Sequence, residues 1–437
     1  MKTSPVFVVN LRKRTDRKEH ILQQFANREE FDVTIVEAIE HDTGAVGLWK
    51  TIGVILKEMV RPEDDYVILC EDDHQFTEHY SAALLQDCIS AARERQADLV
   101  CGGVSWFDNG FAVTPHLCWI EGFTGLQFTV IYRRFFDTIL QAGFHEDDAA
   151  DFKFAELTQN KFLILPFISV QREFGYSDVT SGNSKVGKVD FHFNSSSNKG
   201  NVIQAVCEFY ESHPLEGITL SDETVYDSLT LPVYVIGAAT PEHHRNVAHQ
   251  FNDRSEFEVN MVLPVNAGLW LDIVAAIQMA VEAGEDLVVL CHARHMFSPA
   301  YDRNTFLKQV IIAYHHGVEI LTGGLDDFDL AVPVTEEYYW VNVFAPVRFL
   351  VLNRSIFDAL LSYGLSGETP VYKIFSDITK SKMTVYPLVS LPWMGTAYDG
   401  EEHMERTDPG PVIPGEKRLQ LVKLMHNKFR YTLNKIL

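Results

Sequence analysis

The sequence is short of several things. It has no run of about 18 uninterrupted apolar residues, so no stretch of it reads as a membrane span. Its six cysteines (Cys70, Cys88, Cys101, Cys118, Cys207 and Cys291) show no CxxC spacing, and several sit in apolar runs, the pattern of buried free thiols in a reducing compartment. Positive charge is scarce. With 37 Lys and Arg against 60 Asp and Glu, the formal net charge is −23, the wrong sign for a general nucleic-acid binder. The opening MKTSPVFVVNLRKRTDR lacks a long apolar core of the signal-peptide kind, so the expected location is the cytoplasm.

What is present is a chain written twice. At 437 residues it is long for one core, and repetition accounts for the length. PVFVVN at 5–10 resembles PVYVIG at 232–237. Farther on, one offset of 221 residues sets GLWKTI (47–52) on GLWLDI (268–273) and YVILCEDDHQF (66–76) on LVVLCHARHMF (287–297). The same offset pairs Gly102-Gly103 with Gly323-Gly324, Trp119 with Trp340, Arg133 with Arg354, and FLILPFISV (162–170) with MTVYPLVSL (383–391). A shared offset over that length marks a tandem duplication of a domain-sized unit.

Each copy alternates strand-like and helix-like patterns. In the first, strands are expected at 5–11, 32–38, 66–70 and 98–104, with helices at 15–27 and about 47–60. That order implies the α/β class, two tandem domains with mainly parallel mixed sheets. The Ser/Asn/Gly-rich stretch 180–201 reads as a loop or flap. The expected organisation is a first domain at 1–200, a linker with a short helix at 201–231, a degenerate repeat at 232–400, and a Pro/Gly spacer with a basic helix at 401–437. In that last helix Leu419, Val422, Met425, Phe429 and Leu433 share one face. Such a face suits docking on an acidic body or peripheral contact with the inner face of a membrane.

The strand VILC (67–70) runs into Glu71, Asp72, Asp73 and His74. Carboxylates at the carboxyl end of a parallel strand lie where open α/β sheets bind ligands. Glu71 and Asp73, two residues apart, project to the same side and suit a hard divalent cation, Mn²⁺ or Mg²⁺. An acidic, solvated turn is the plain alternative. The duplicate weighs against it, because it keeps the strand yet reads His292, Ala293, Arg294, His295. His74 persists as His295 and so belongs with the fold. A second difference runs the same way: Arg12, Lys13, Arg14 and Arg17 follow the first strand of copy one, a basic helix start suited to phosphate, whereas copy two reads GAATPEHHR.

VVNLRKRTDR followed by VILCEDD resembles the opening and metal motifs of the family 25 glycosyltransferases, which include lipooligosaccharide and collagen galactosyltransferases. The resemblance spans residues 5 to about 180, and 232–400 only through the repeat. It implies a GT-A fold, a second copy that is a degenerate pseudo-glycosyltransferase, a UDP-sugar donor, and a glycan, lipid-linked glycan or protein acceptor. Carried over residue by residue, it makes Glu71 and Asp73 metal ligands, and sets Asn10, Arg14, Arg17 and the intervening Asp72 at the nucleotide-sugar. Ser177 and Asp178 of FGYSDV would line the site. DDAADFKFAEL makes Asp151 the candidate acceptor-side base, with Glu121 as a second; copy two carries Tyr372 and Asn342 at these positions. His192 or Asp178 would supply a third metal ligand. The segment GAVGLWKTI departs from the family's Gly-x-x-x-Ser-His element. The implied reaction is inverting sugar transfer; a nucleotidyltransferase, a two-domain GT-B enzyme and a non-catalytic nucleotide- or glycan-binding pseudoenzyme are the rivals.

Overall fold

SPVFVVN, β1 (Ser4–Asn10), is buried along its whole length, as a strand covered on both faces must be. In the computed structural model, which describes residues 3–175, 187–215, 226, 228–264, 268–363, 369–393 and 413–433, the chain forms two compact units. One comprises Met1–Cys207 with Met425–Leu437, the other Glu208–Leu424. Ser177, Asp178 and Asp399 lie outside the described residues.

The first unit continues with α1 (Thr15–Phe25), β2 (Phe31–Glu37), α2 (Gly44–Val54, prolonged by one π turn), β3 (Tyr66–Glu71), β4 (His74–Phe76), α3 (Ala82–Glu94) and β5 (Leu99–Cys101). Then come β6 (Trp106–Phe107), β7 (Gly110–Thr114), β8 (Leu117–Ile120), β9 (Phe123–Thr124), β10 (Phe128–Tyr132), α4 (Arg133–Gln141), α5 (Ala150–Leu157), β11 (Lys161–Ile164), β12 (Ser169–Gln171) and α6 (Lys188–Ser212). Eight strands make one sheet in the order β2-β1-β3-β10-β5-β11-β8-β7. Pairing is parallel at β1–β2, β1–β3 and β5–β11, and antiparallel at the remaining four steps, so the sheet is mixed and its parallel part is the end that carries β1 and β3.

The second unit repeats this order with β13 (Leu231–Ile236), α7 (Pro241–Phe251), β14 (Phe257–Met261), α8 (Leu269–Ala283), β15 (Leu287–His292), β16 (His295–Phe297), α9 (Arg303–His315) and β17 (Ile320–Thr322). It closes with β18 (Asp327–Phe328), β19 (Ala331–Pro333), β20 (Tyr338–Val341), β21 (Phe344–Ala345), β22 (Phe349–Asn353), α10 (Phe357–Ser362), α11 (Val371–Ile378), β23 (Lys382–Val385), β24 (Ser390–Pro392) and the part of α12 (Gly415–Leu433) that precedes Met425. Its sheet order, β14-β13-β15-β22-β17-β23-β20-β19, is the same arrangement strand for strand.

Buried polar contacts are duplicated as well. His74 Nδ1 meets Ser169 Oγ at 2.8 Å, and His295 Nδ1 meets Ser390 Oγ at 2.7 Å. Lys161 Nζ donates to the carbonyls of Ala155 and Thr158 at the end of α5, and Lys382 Nζ to those of Ser376 and Thr379 at the end of α11. These residues are shared because both copies need them to fold.

Two expectations are corrected here. Residues 188–201 are not a loop but the first half of α6. Its polar composition hides a regular buried edge of Phe193, Ser196, Gly200, Ile203 and Val206. A Cβ at Gly200 would lie 2.6 Å from Leu165 Cδ2, so a larger residue there would have to displace that side chain. Helix α6 is also the closing element of copy one, not a linker. Lys199 Nζ donates to the carbonyl of Phe107 (3.3 Å), as Arg418 Nη1 of α12 does to that of Phe328 (2.7 Å). The second correction concerns α12. Leu419, Val422, Met425 and Phe429 are all 3 % exposed or less, so its apolar face is spent inside the protein and is not open to a membrane. No described helix is long and apolar enough to cross one.

Candidate active site

β1 and β3 are parallel neighbours, but the chain leaves β1 toward β2 while β3 continues the sheet the other way. That makes the carboxyl ends of these two strands the topological switch point, where a crevice opens. Asn10 ends β1 and Glu71 ends β3, so both motifs read from the sequence arrive at one place.

They arrive bonded to each other. Asp72, 3 % exposed, accepts from Asn10 Nδ2 at 2.9 Å and from Arg17 Nη1 at 3.1 Å, with Arg14 Nη1 at 3.7 Å. Arg17 Nη1 also donates to Asp73 Oδ2 at 2.9 Å. Arg17 is 5 % exposed and lies over the Phe174 ring. Asn10, Arg17 and Asp72 are therefore a buried brace between α1 and the end of β3. Arg17 and Asp72, both expected at the nucleotide, are engaged with each other in this brace.

Glu71 and Asp73 are less well served. Glu71 Oε2 has Gln171 Nε2 at 3.4 Å, and Asp73 Oδ1 is buried with no hydrogen-bond partner. Burial, then the neighbouring carboxylates, push the Glu71 carboxyl well above its usual range. Burial outweighs the Arg17 guanidinium at Asp73 and raises its carboxyl to about 6. Glu71, Asp72 and Asp73 thus converge at the end of β3, with Arg14 and Arg17 beside Asp72. Among the described residues no group of three or more His, Cys, Asp or Glu side chains is placed to hold a metal ion. His192 accordingly does not complete a set with Glu71 and Asp73. It stands half-buried on α6 with its ring against Phe191.

Asp151, at the start of α5, accepts from the backbone N–H of Gly125 (3.0 Å, Oδ2) and of Phe152 (2.9 Å, Oδ1). Burial raises its carboxyl above the usual range. Gly125 has φ +106°, and a Cβ there would lie 2.9 Å from Gln127 Oε1. Gln127 in turn accepts the N–H of Glu71 at 3.1 Å through its carbonyl. Two residues of chain, at most ~7 Å, thus separate the anchor of Asp151 from that of Glu71. Glu121 is elsewhere. β8 runs antiparallel to β11, so Glu121, just beyond its end, sits at the opposite sheet edge beside Lys161. It is removed from the candidate bases for that reason.

The second unit shows the same place rebuilt. Superposing α1 on α7 through Gln24 and Gln250, each of which accepts the backbone N–H of a β4 or β16 phenylalanine, puts His243 where Arg17 stands. Arg294 Nε donates to His243 Nε2 at 3.4 Å, so the Arg17–Asp73 pair is reversed in sense. At the Gln127 position stands Arg348, 1 % exposed, donating to both carboxylate oxygens of Asp326. Helix α7 is capped by Thr240 Oγ1, which accepts from His243 N, whereas α1 has no side-chain cap.

One residue escaped the sequence reading. Arg172 is exposed, donates its backbone N–H to the carbonyl of Asp73 (2.8 Å), and reaches His20 Nδ1 (3.1 Å). The signal was available, since the 221 offset sets Trp393 against Arg172.

No family model and no curated protein sequence matches the chain. Among solved structures it is similar to A197 from STIV, with 16% identity over 40% of this chain and 86% of that one and a TM-score of 0.27. A UDP-glucose pyrophosphorylase complexed with UDP-glucose gives 13%, 45%, 81% and 0.27, and HddC from Yersinia pseudotuberculosis 10%, 45%, 78% and 0.26. Likenesses of this strength assign neither family nor activity. The chain is an α/β protein of two similar units, each built on a mixed eight-stranded sheet.

Proposed function

We propose that the first unit is a metal-dependent glycosyltransferase that moves a sugar from a UDP-sugar to an acceptor hydroxyl. The observation that carries the reading is Asp73 Oδ1, a buried and unpartnered carboxylate oxygen beside Glu71 at the switch point of one unit, with arginine in its place in the other. The uncapped start of α1 beside it suits a phosphate, and its counterpart is closed by Thr240. The choice of UDP rests on the family 25 resemblance.

Glu71 and Asp73 would hold Mn²⁺ or Mg²⁺, which when bound neutralises charge on a diphosphate. Asp151 accepts the proton of the acceptor hydroxyl, its raised basicity suiting that role near neutral pH. The acceptor oxygen forms its bond to the anomeric carbon as the bond from that carbon to the β-phosphate oxygen breaks. The electron pair leaves with UDP, and the configuration inverts. Exposed Arg172, not the braced Arg17, meets the departing charge.

Calorimetry with UDP and Mn²⁺ tests this on the full chain. Binding of UDP that needs Mn²⁺ and is lost in Asp73→Ala is the expected result, followed by UDP release from one of UDP-Glc, UDP-Gal, UDP-GlcNAc or UDP-GalNAc. UDP binding undiminished in Asp73→Ala would remove the metal-bridged reading.

A further inference from the structure

The two copies differ at a second cluster, around Asp151, whose aromatic rings the chemistry above does not use. Trp106 on β6 and Phe152 on α5 face each other, with ring centroids 6.5 Å apart and planes at 48°. Both rings are half-buried. They flank Asp151: Phe152 follows it and donates its backbone N–H to Oδ1, while Trp106 pairs with Thr124, the neighbour of the Gly125 that donates to Oδ2.

Comparison by the 221 offset separates fold from function here. Phe107, Phe123 and Phe154, each 0 % exposed, recur as Phe328, Phe344 and Phe375, each 1 % exposed or less. Those are core, and both copies keep them. Trp106, Asp151 and Phe152, the half-exposed members of the same cluster, become Asp327, Tyr372 and Lys373. Asp327 is held by Arg418 Nη1 at 3.2 Å, and Tyr372 is 2 % exposed, so the second unit fills this place with its own side chains. Aromatic surface has thus been kept accessible in the one copy that has the acids, and nowhere at the matching place in the other.

We propose that Trp106 and Phe152 form a stacking face for a sugar ring of the acceptor, holding its hydroxyl at Asp151. The proposal rests on the glycosyltransferase reading and adds the acceptor's class: a carbohydrate, not a bare peptide or lipid. The C–H faces of a pyranose present apolar patches, and large rigid rings bind such patches at little entropic cost. A carboxylate next in the chain to one of these rings, fixed by two backbone N–H groups, supplies the polar anchor that such a pocket needs.

The test is saturation-transfer NMR on the full chain charged with UDP and Mg²⁺, using the methyl glycosides of glucose, galactose, N-acetylglucosamine and mannose. At least one should bind with saturation on its ring C–H protons. Trp106→Ala and Phe152→Ala should each weaken that binding about tenfold while the UDP affinity holds. Phe152→Lys, the residue of the second copy at a half-exposed site, should do the same without loss of melting temperature. Glycoside affinity unchanged in these variants, or no glycoside bound by the UDP-charged protein, overturns the inference. Failure of the wild-type chain to bind UDP at all overturns the glycosyltransferase reading instead.

Discussion

Replacing Asp73 with Asn should stabilise the metal-free protein at neutral pH while abolishing its cation-dependent UDP binding. In the unfolded chain an Asp titrates near ~3.9. In the folded chain burial holds Asp73 at about 6, even with Arg17 Nη1 2.9 Å away. A raised carboxyl favours the fold while it is protonated. Relative to an uncharged side chain of the same shape, wild type loses nothing below about pH 4, loses stability as pH rises through 4–6, and carries the full cost above that. Two pK units correspond to ~3 kcal/mol, and relaxation around a side chain 15% exposed brings the expected gain to roughly 1–3 kcal/mol. In a unit of this size that is a rise of about 3–8 °C in melting temperature. Arg17 keeps Asp72, and the Asn carbonyl can still accept from it, so no buried charge is orphaned.

The assay is thermal unfolding of wild type and Asp73→Asn in EDTA at pH 4.5, 6 and 7.5. A gain that grows with pH is expected, together with loss of the stabilisation that Mn²⁺ and UDP give wild type. If Asp73→Asn is no more stable than wild type at pH 7.5, or if the difference is the same at pH 4.5, the buried-charge account of the site is wrong.

Two further outcomes follow from the fold. Ser169→Ala and Ser390→Ala each strip the Nδ1 partner from a histidine at most 1 % exposed, so each should cost ~1–3 kcal/mol in urea unfolding. The two losses should match, because His74 and His295 do the same work; a large inequality would mean that one histidine has a further role. The full chain should not co-sediment with anionic vesicles at physiological salt, since the face of α12 that would insert is buried. Co-sedimentation abolished by Leu419→Asp would show that the helix undocks.

The duplication, the strand ends and the split between His74 and its acidic neighbours were legible because a second copy in the same chain reports which residues folding requires. What was not legible is three-dimensional bookkeeping of charge. Arg17 reads as a phosphate ligand from its place at a helix start, and only the contact across 55 residues shows that Asp72 already holds it. Glu121 loses its carboxylate in copy two just as Asp151 does, yet strand direction decides that one lies near Glu71 and the other at the far edge. Composition misled at 188–201, where Ser196 and Gly200 serve as small residues on the buried side of a helix while Asn194, Asn198 and Asn201 face solvent.

The rebuilt edge of the second unit bears on why the first is acidic. Copy two did not simply drop its carboxylates, which would have left a crevice of unmatched backbone. It put a guanidinium at the Gln127 position and tied it to Asp326, while the Arg348 carbonyl accepts the N–H of His292 as the Gln127 carbonyl accepts that of Glu71. A permanent internal cation thus stands where the first unit, with Gln127 Oε1 buried and unpartnered, has none. In the second unit the charged groups at this edge are paired within the unit. By that comparison, the unsatisfied Asp73 in copy one is not a feature the fold tolerates for its own sake. Under the proposed reading, Asp73 Oδ1 is where a divalent cation from solution would bind.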